Sequence, residues 1–488
     1  MADWFTQLAG SFESHLRLLS QLTLAGVSIF TVGHILLHKR NPRPAAMWVV
    51  VCVALPGLGA LVYWMFGFNR ISTRTRLVQN RWPVSVAGRE LSDAAGEAPS
   101  LPARFHELAK IGLRITGRPL SGGNHVRALR NGEELYPPML EAIRTATSSI
   151  WLSTYIFDRD EVGLEFAEAL GQATERGVDV RVLIDGLGEW YSPRRIGGVL
   201  IRNGVQVERF LAPSIVPPSL HVNLRYHRKL LIVDGRLAYT GGMNIGLRHM
   251  VTKRSRRTAV RDMHFEVTGP VVAEMEEVFR EDWTFASGEL SWPEAAPPGV
   301  GDTAPGDAYV RAVSSGPNED LERLRWIILG VLSQAQESVR IMTPYFIAEA
   351  SLVAAMNAAV LRGVRVELIL PKRNNLTYMS WAARSQLWQI LEFGVRVFEQ
   401  SGAFSHTKLI LIDDDYALIG SANLDPRSLR LNFEFNLEVY GGDCPRELDR
   451  HFSTALQESR EISLEELEAR PLWVRLRDAV AALFSPYL

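Results

Sequence analysis

The chain has 488 residues, with 53 Lys and Arg against 54 Asp and Glu and only two cysteines. The length leaves room for two or three domains. The near-cancelling charge argues against a protein that holds nucleic acid along its phosphates, which needs a basic excess, and two cysteines argue against a disulfide framework or a Cys-based metal site.

The first 72 residues read as an N-terminal transmembrane hairpin. Leu18–Leu37 and Ala45–Phe68 carry no formal charge, and each reaches the roughly 20 residues that a helix needs to cross about 30 Å of hydrocarbon. A short basic turn, "HKRNPRP", lies between them. Basic residues Lys39, Arg40 and Arg43 lie in the turn, Arg70, Arg74, Arg76 and Arg81 follow the second run, and Arg17 precedes the first. That count favours both ends inside, the turn outside and a cytoplasmic main body.

Residues 73–119 are mixed and polar, and read as a connector. A strand-like run then spans Ser148–Phe157, a helical pattern Val162–Gly177, and a second strand Val178–Gly186. This strand-helix-strand order predicts parallel pairing. The same order returns as Glu337–Ile347, Ser351–Gly363 and Val364–Lys372, and Gly204–Phe210 finds its counterpart in Gly394–Gln400. A whole domain is duplicated. The first copy is expected over 120–286 and the second over 309–488, with a Pro/Gly/Ala-rich linker at 287–308.

The repeats converge on one signal. His227, Lys229 and Asp234 stand in "HRKLLIVDG", and His406, Lys408 and Asp413 stand at the same spacing in "HTKLILIDD". Four apolar residues after each lysine mark a strand buried on both faces, and a two-residue step puts each imidazole and ammonium on one side of it. Small residues and an amide follow in "GGMN", ending at Asn244, and "GSAN", ending at Asn423. Brought together, two His, two Lys and two Asn suit a phosphoryl group, whose charge grows on its oxygens during displacement. One His attacks phosphorus and the other transfers the proton. The lysines supply positive charge, so neither metal nor cofactor is expected, and Asn244 and Asn423 are expected to bind phosphate. Each His also needs a carboxylate on its other nitrogen. Aligning "RDMHFEV" with "NFEFNLEV" pairs Asp262 with Glu434. The expectation is that Asp262 orients His227 and Glu434 orients His406, each within its own repeat.

These residues resemble the double HKD pattern of the phospholipase D superfamily, and within it the bacterial cardiolipin synthases. The likeness rests on "NLRYHRKLLIVDGRLAYTGGMNIG", "HTKLILIDDDYALIGSANLDPRSLRLNFEFN", "TPYF" and "LPGLGALVYWMFG". It implies two tandem phospholipase D-like α/β/α sandwich domains, pseudo-twofold related, around one active site. It implies transfer of a phosphatidyl group between two phosphatidylglycerol molecules, releasing glycerol, in a bacterial cell membrane reached through a multi-pass anchor. It also implies His227 as nucleophile and His406 as acid and base; Lys229, Asp234, Lys408 and Asp413 complete the expected catalytic set, the two aspartates in a mainly structural role. Phospholipids are then the partners and nucleic acid is not; hydrolysis to phosphatidic acid and a nuclease-like phosphodiesterase are the alternatives. Tyr226 stands where the family often has Asn, and "KRSRRTAV" differs from the common form before the Arg-Asp pair. His221, His249 and His264 read as structural or surface residues. Leu472, Leu476, Val480 and Leu483 share one helical face, expected to pack on the protein, with the bilayer surface as the alternative.

Overall fold

A computed structural model describes residues 2–39, 42–67, 101, 105–192, 194–212, 224–255, 257–289, 292, 306–317, 322–347 and 349–483. Residues 73–100 of the expected connector, most of the expected linker, His221, and the basic residues Arg40, Arg70, Arg74, Arg76 and Arg81 lie outside these. The described residues form two compact units: the N-terminal helices, and the remainder from residue 101 onward.

In the N-terminal unit, α1 (Ala2–His38) includes a stretch, His15–His38, long and apolar enough to cross a membrane. The second apolar run departs from the expected spanning helix. It forms α2 (Pro42–Ala54), breaks, and restarts as α3 (Leu58–Val62), followed by a wide turn over Tyr63–Gly67. Pro56 has no amide hydrogen and its ring crowds the carbonyl four residues back, and Gly57 adopts φ 78°, a region open to glycine. The break reverses the chain. Gly57 N–H donates to Ser28 Oγ (3.1 Å), Trp64 Nε1 donates to Thr31 Oγ1 (3.2 Å), and Tyr63 Oη pairs with His34 Nδ1 (2.9 Å). Residue 57 therefore lies beside residue 28, and residues 63 and 64 lie beside 31 and 34. The α3 segment runs alongside α1 in the same direction, and Tyr63 returns to pack on Trp48 of α2 at 5.5 Å between ring centroids. Thirteen residues of α2 reach only about 20 Å, short of the hydrocarbon thickness.

The larger unit is built on one 15-stranded sheet. The first repeat contributes β1 (Ser121–Arg130), β2 (Ser149–Thr154), β3 (Asp179–Asp185), β4 (Gln206–Phe210), β5 (Leu230–Val233), β6 (Leu237–Gly241) and β7 (Met263–Thr268). The second contributes β8 (Ala308–Ser315), β9 (Ser338–Met342), β10 (Arg365–Pro371), β11 (Arg396–Gln400), β12 (Leu409–Ile412), β13 (Tyr416–Gly420), β14 (Glu434–Tyr440) and an added edge strand, β15 (Ser459–Ile462). From the centre outward the first half runs β1-β7-β6-β5-β2-β3-β4 and the second β8-β14-β13-β12-β9-β10-β11-β15. The order is the same in both, and antiparallel pairing of β1 with β8 joins them. The predicted parallel pairs are present: β2 with β3 and β9 with β10.

Helices cover both faces. In β2, Ile150 and Leu152 enter a core with Tyr136 and Ile143 of α4 (Asn131–Thr145) and Phe166 and Leu170 of α5 (Glu161–Glu175). Trp151, between them, points to the opposite face and stacks on Phe279 of α6 (Val271–Ser287) at 5.7 Å. In β9, Val339 and Ile341 meet Ile327 of α7 (Arg323–Gln334) and Met356 of α8 (Ala350–Leu361). Arg340 faces the other way, over Phe452 of the helix Cys444–Gln457.

The end of the expected connector is not a polar tether. Leu101, Phe105 and Leu108, the last on the helix His106–Thr116, belong to the second repeat's core. Arg311 explains the attachment. It is fully buried, pairs with Glu438 (2.8 Å) and donates to the carbonyls of Ala109 (3.0 Å) and Arg118 (3.2 Å). Gly112 leaves the space, since a Cβ there would collide with the guanidinium. Arg311→Met would strand the Glu438 carboxylate. A loss of about 3–5 kcal/mol is expected, read as a lowered midpoint in denaturant unfolding of the detergent-solubilised protein.

Candidate active site

Each motif histidine enters the site from the end of a buried strand, and its backbone is fixed by the opposite repeat. His227 N–H donates to Phe433 O (2.9 Å), and His406 N–H donates to Arg261 O (2.7 Å). The residue after each of these carbonyls carries the carboxylate. His227 Nδ1 therefore lies 2.8 Å from Glu434 Oε2, and His406 Nδ1 lies 2.7 Å from Asp262 Oδ2. The expected pairing is corrected: both carboxylates orient a histidine, but each serves the histidine of the other repeat. Alignment shows that Asp262 and Glu434 are equivalent. It does not show that the chain crosses the pseudo-twofold axis, as the paired bridges Tyr226–Phe433 and Ser405–Arg261 require.

The carboxylates are themselves held. Glu434 accepts from Ser421 Oγ (2.5 Å) and Asn432 Nδ2 (3.0 Å), and Asp262 accepts from Met263 N–H (2.8 Å). Gly242 occupies the position equivalent to Ser421, and a Cβ there would collide with Asp262. The shorter carboxylate is matched by the smaller neighbour. Among the described residues, Nε2 of each imidazole carries no hydrogen bond and remains for chemistry.

Lys229 Nζ donates to His227 O (2.7 Å), and Lys408 Nζ donates to His406 O and also lies 2.9 Å from His406 Nδ1. Burial dominates the electrostatics. It lowers both imidazoles, and the ammonium groups lower them further, Lys229 beside His227 and Lys408 beside His406; His227 in turn depresses His406. Burial raises the Asp262 carboxyl. It also pushes Glu434 up, but His227 and Lys229 more than offset that and hold it below its usual value. The direction for the His227–Glu434 pair is a neutral imidazole donating from Nδ1 to a carboxylate, which leaves a lone pair on Nε2. An anion entering between the ammonium groups reverses the balance and lets one imidazole take up a proton.

Burial also brings Lys229 down to about 7 and Lys408 down to about 8. Both are cations below those values and lose their charge as pH rises through them. Inhibition by sulfate, a dianion throughout this range, should weaken as pH is raised from 7 to 9. Inhibition constants measured across the window check this, and Lys408→Met should flatten the profile.

Asn244 Oδ1 accepts from Ile156 N–H (3.1 Å), and Asn423 Nδ2 donates to Ser428 Oγ (3.2 Å); among the described residues, Asn244 Nδ2 and the buried Asn423 Oδ1 have no partner. Asp234 and Asp413 are not beside the histidines, and their inclusion among catalytic residues is corrected. They lie beyond the far ends of β5 and β12, at φ 51° and 50°. Asp234 accepts from the N–H groups of Thr147, Ser148 and Ser149 (2.7–2.9 Å), and Asp413 accepts from those of Glu337 and Ser338 (2.8 and 2.9 Å). They tie turns to the sheet. Tyr226 is a core residue: its hydroxyl donates to Asp282 (2.8 Å) and its ring packs on Phe210. His249 and His264 are buried and held neutral by burial, each brought down to about 3, in keeping with a structural role.

Two further residues flank the site. Tyr155 presents its ring edge-on to His227 at 5.2 Å, and Tyr345 does so to His406 at 6.1 Å. Both stand in matching places of the repeat, "STYIF" and "TPYFI", and that match was the available signal.

The sequence matches the family described as cardiolipin synthase, PLD-like domain, over residues 139–283 and 328–456, and phospholipase D-nuclease N-terminal over 26–67. It is 31% identical to a cardiolipin synthase of Geobacillus sp. (strain WCH70), covering 94% of this chain and 92% of that one. It is 31% identical to the major cardiolipin synthase ClsA of Bacillus subtilis (strain 168), covering 95% and 98%. Among solved structures, phosphatidylserine synthase of Haemophilus influenzae Rd KW20 shares the fold, with a TM-score of 0.58 and 19% identity over 78% of this chain and all of that one.

Proposed function

The chain belongs to the cardiolipin synthase family of phospholipase D-like proteins, and from that membership we propose that it transfers a phosphatidyl group from one phosphatidylglycerol to another, giving cardiolipin and glycerol. His227 Nε2 attacks phosphorus and forms an N–P bond as the P–O bond to the glycerol headgroup breaks. His406 gives its proton to that departing oxygen. The second phosphatidylglycerol then enters. His406 takes the proton of its headgroup hydroxyl, the oxygen attacks phosphorus, and the N–P bond breaks. Lys229 and Lys408 offset the charge on the non-bridging oxygens, and Asn244 Nδ2 donates to them. The observation that carries this reading is the symmetric convergence of two carboxylate-held imidazoles, each with its lysine, from the two halves.

Incubating the purified full chain with labelled phosphatidylglycerol in mixed micelles tests it. Cardiolipin and glycerol in equal amounts are expected; phosphatidic acid as the main product would make the protein a hydrolase. With the lysines neutralising charge, EDTA is expected to leave the rate unchanged. A loss of activity restored by a divalent ion would overturn metal independence.

We further propose the domain limits 1–72, 73–119, 120–286, 287–308 and 309–488, with the segment from 101 to 116 packed as described. At the membrane, we propose that α1 alone crosses and that α2 and α3 dip in and return, in place of a second crossing. Lys39 and Arg40 before this pair, Arg43 in the first turn of α2, and Arg70, Arg74, Arg76 and Arg81 after the pair then fall on one side, and the positive-inside rule makes that side cytoplasmic. The catalytic repeats follow on the same side of the bacterial inner membrane.

A further inference from the structure

The C-terminal helix Leu472–Leu483 carries its larger apolar residues outward. Its inner face combines small apolar residues, Ala481 and Ala482, with charged ones. Asp478 is fully buried and accepts from Arg470 (2.7 Å) and from Arg477 (2.9 and 2.6 Å), and the Arg477 guanidinium lies over Trp381 at 4.3 Å. Trp381 belongs to the neighbouring helix Thr377–Gln386. The outer face is apolar: Leu472, Leu476, Val480 and Leu483 are between 55% and 71% exposed. The expectation that these four pack on the protein is therefore reversed. The Arg477 contact with Trp381 and a bond from Arg470 to the Arg384 carbonyl (3.4 Å) hold this segment on its neighbour, and the face that would normally be buried is presented outward.

Two features define what that face meets. Trp473 and Arg475 flank the apolar stripe and are both exposed. Aromatic and cationic residues beside an apolar stripe suit the boundary between acyl chains and anionic headgroups. The same helix also reaches the active site. Ala481 and Ala482 pack into a small cluster with Tyr345, Met379 and Phe404, and the rings of Tyr345 and Phe404 lie 6.1 and 5.7 Å from that of His406. The exposed stripe and the catalytic imidazole therefore sit on opposite sides of one thin layer of side chains.

We propose that this helix lies in the surface of the bilayer and sets the His406 side of the active site against the lipid headgroups. This deepens the phosphatidyl-transfer reading and rests on it for the identity of the substrate. Lipid enters from the membrane past the helix, without leaving for water, and the apolar stripe keeps the site at headgroup depth.

The test uses the full chain in vesicles of phosphatidylglycerol and phosphatidylethanolamine. Nitroxide labels are placed at Leu476→Cys, Leu483→Cys and, as a control on the exposed face of α5, Gln172→Cys. The native cysteines, Cys52 and Cys444, are buried. Labels at 476 and 483 should collide several-fold more with lipid-soluble oxygen than with a water-soluble nickel chelate, and the label at 172 should show the opposite. A label at 476 as open to the chelate as that at 172 would overturn the proposal, as would broadening from a second labelled copy, which would make the face a contact between protein molecules. The double variant Leu476→Glu with Val480→Glu should lose about tenfold or more in rate on phosphatidylglycerol in bilayers. It should keep the rate of the parent on short-chain phosphatidylglycerol dissolved as monomers. An equal loss on both substrates, or none on either, counts against the proposal. Labels buried in lipid on a protein that makes no cardiolipin would refute the transferase reading and leave the surface assignment standing.

Discussion

His227→Ala is expected to remove phosphatidyl transfer by about ten-thousand-fold or more, because it deletes the atom that bonds to phosphorus. His406→Ala should be as severe on phosphatidylglycerol, whose glycerol leaves poorly without a proton. The two separate on a phosphatidyl ester of nitrophenol, which leaves without acid assistance. The His406 variant should release one equivalent of nitrophenol in a burst and accumulate phosphohistidine, detectable by mass spectrometry of a peptide containing residue 227. The His227 variant should give neither burst nor adduct. A burst from the His227 variant would exchange the two roles. Both side chains lie at strand ends within a sheet held by the two cores, so unfolding profiles should match the parent.

The crossed carboxylates make a sharper prediction. Glu434→Gln should behave like a weakened His227 variant and Asp262→Asn like a weakened His406 variant, each losing roughly a hundred- to ten-thousand-fold, as expected when an orienting carboxylate becomes an amide and the tautomer is no longer fixed. Glu434 accepts at 2.8 Å from His227 and Asp262 at 2.7 Å from His406. On the nitrophenyl ester, Asp262→Asn should therefore keep the burst and Glu434→Gln should lose most of it. Pairing within each repeat predicts the reverse outcome for each variant, so one pair of traces decides between the arrangements.

Much of this site is legible in the sequence. Four consecutive apolar residues after Lys229 and after Lys408 fit a strand with both faces covered, and the sheet places them so, in β5 and β12. Matching spacing in two repeats marked His227, Lys229, His406 and Lys408 as one set. What repetition cannot encode is which copy faces which, so alignment alone pairs each carboxylate with the histidine of its own repeat. Asp234 and Asp413 share the spacing of the motif, but the intervening strands β5 and β12 carry them to the far ends, away from the histidines. The second apolar run had the length of a span; the reversal at Pro56–Gly57 was present in the sequence as two residues and needed Ser28 beside it to take effect. For the C-terminal helix the periodicity was plain, yet only the buried Asp478 shows which way the helix is turned.

The exchanged carboxylates also make the two halves depend on each other. Each repeat carries a histidine, a lysine and an acid, but its acid reaches the other repeat's imidazole and not its own. One half alone therefore cannot orient its histidine, whereas two copies related by a twofold axis would orient each other's. Joining both halves in one chain makes that exchange permanent and lets the two acids differ, Asp on one side and Glu on the other.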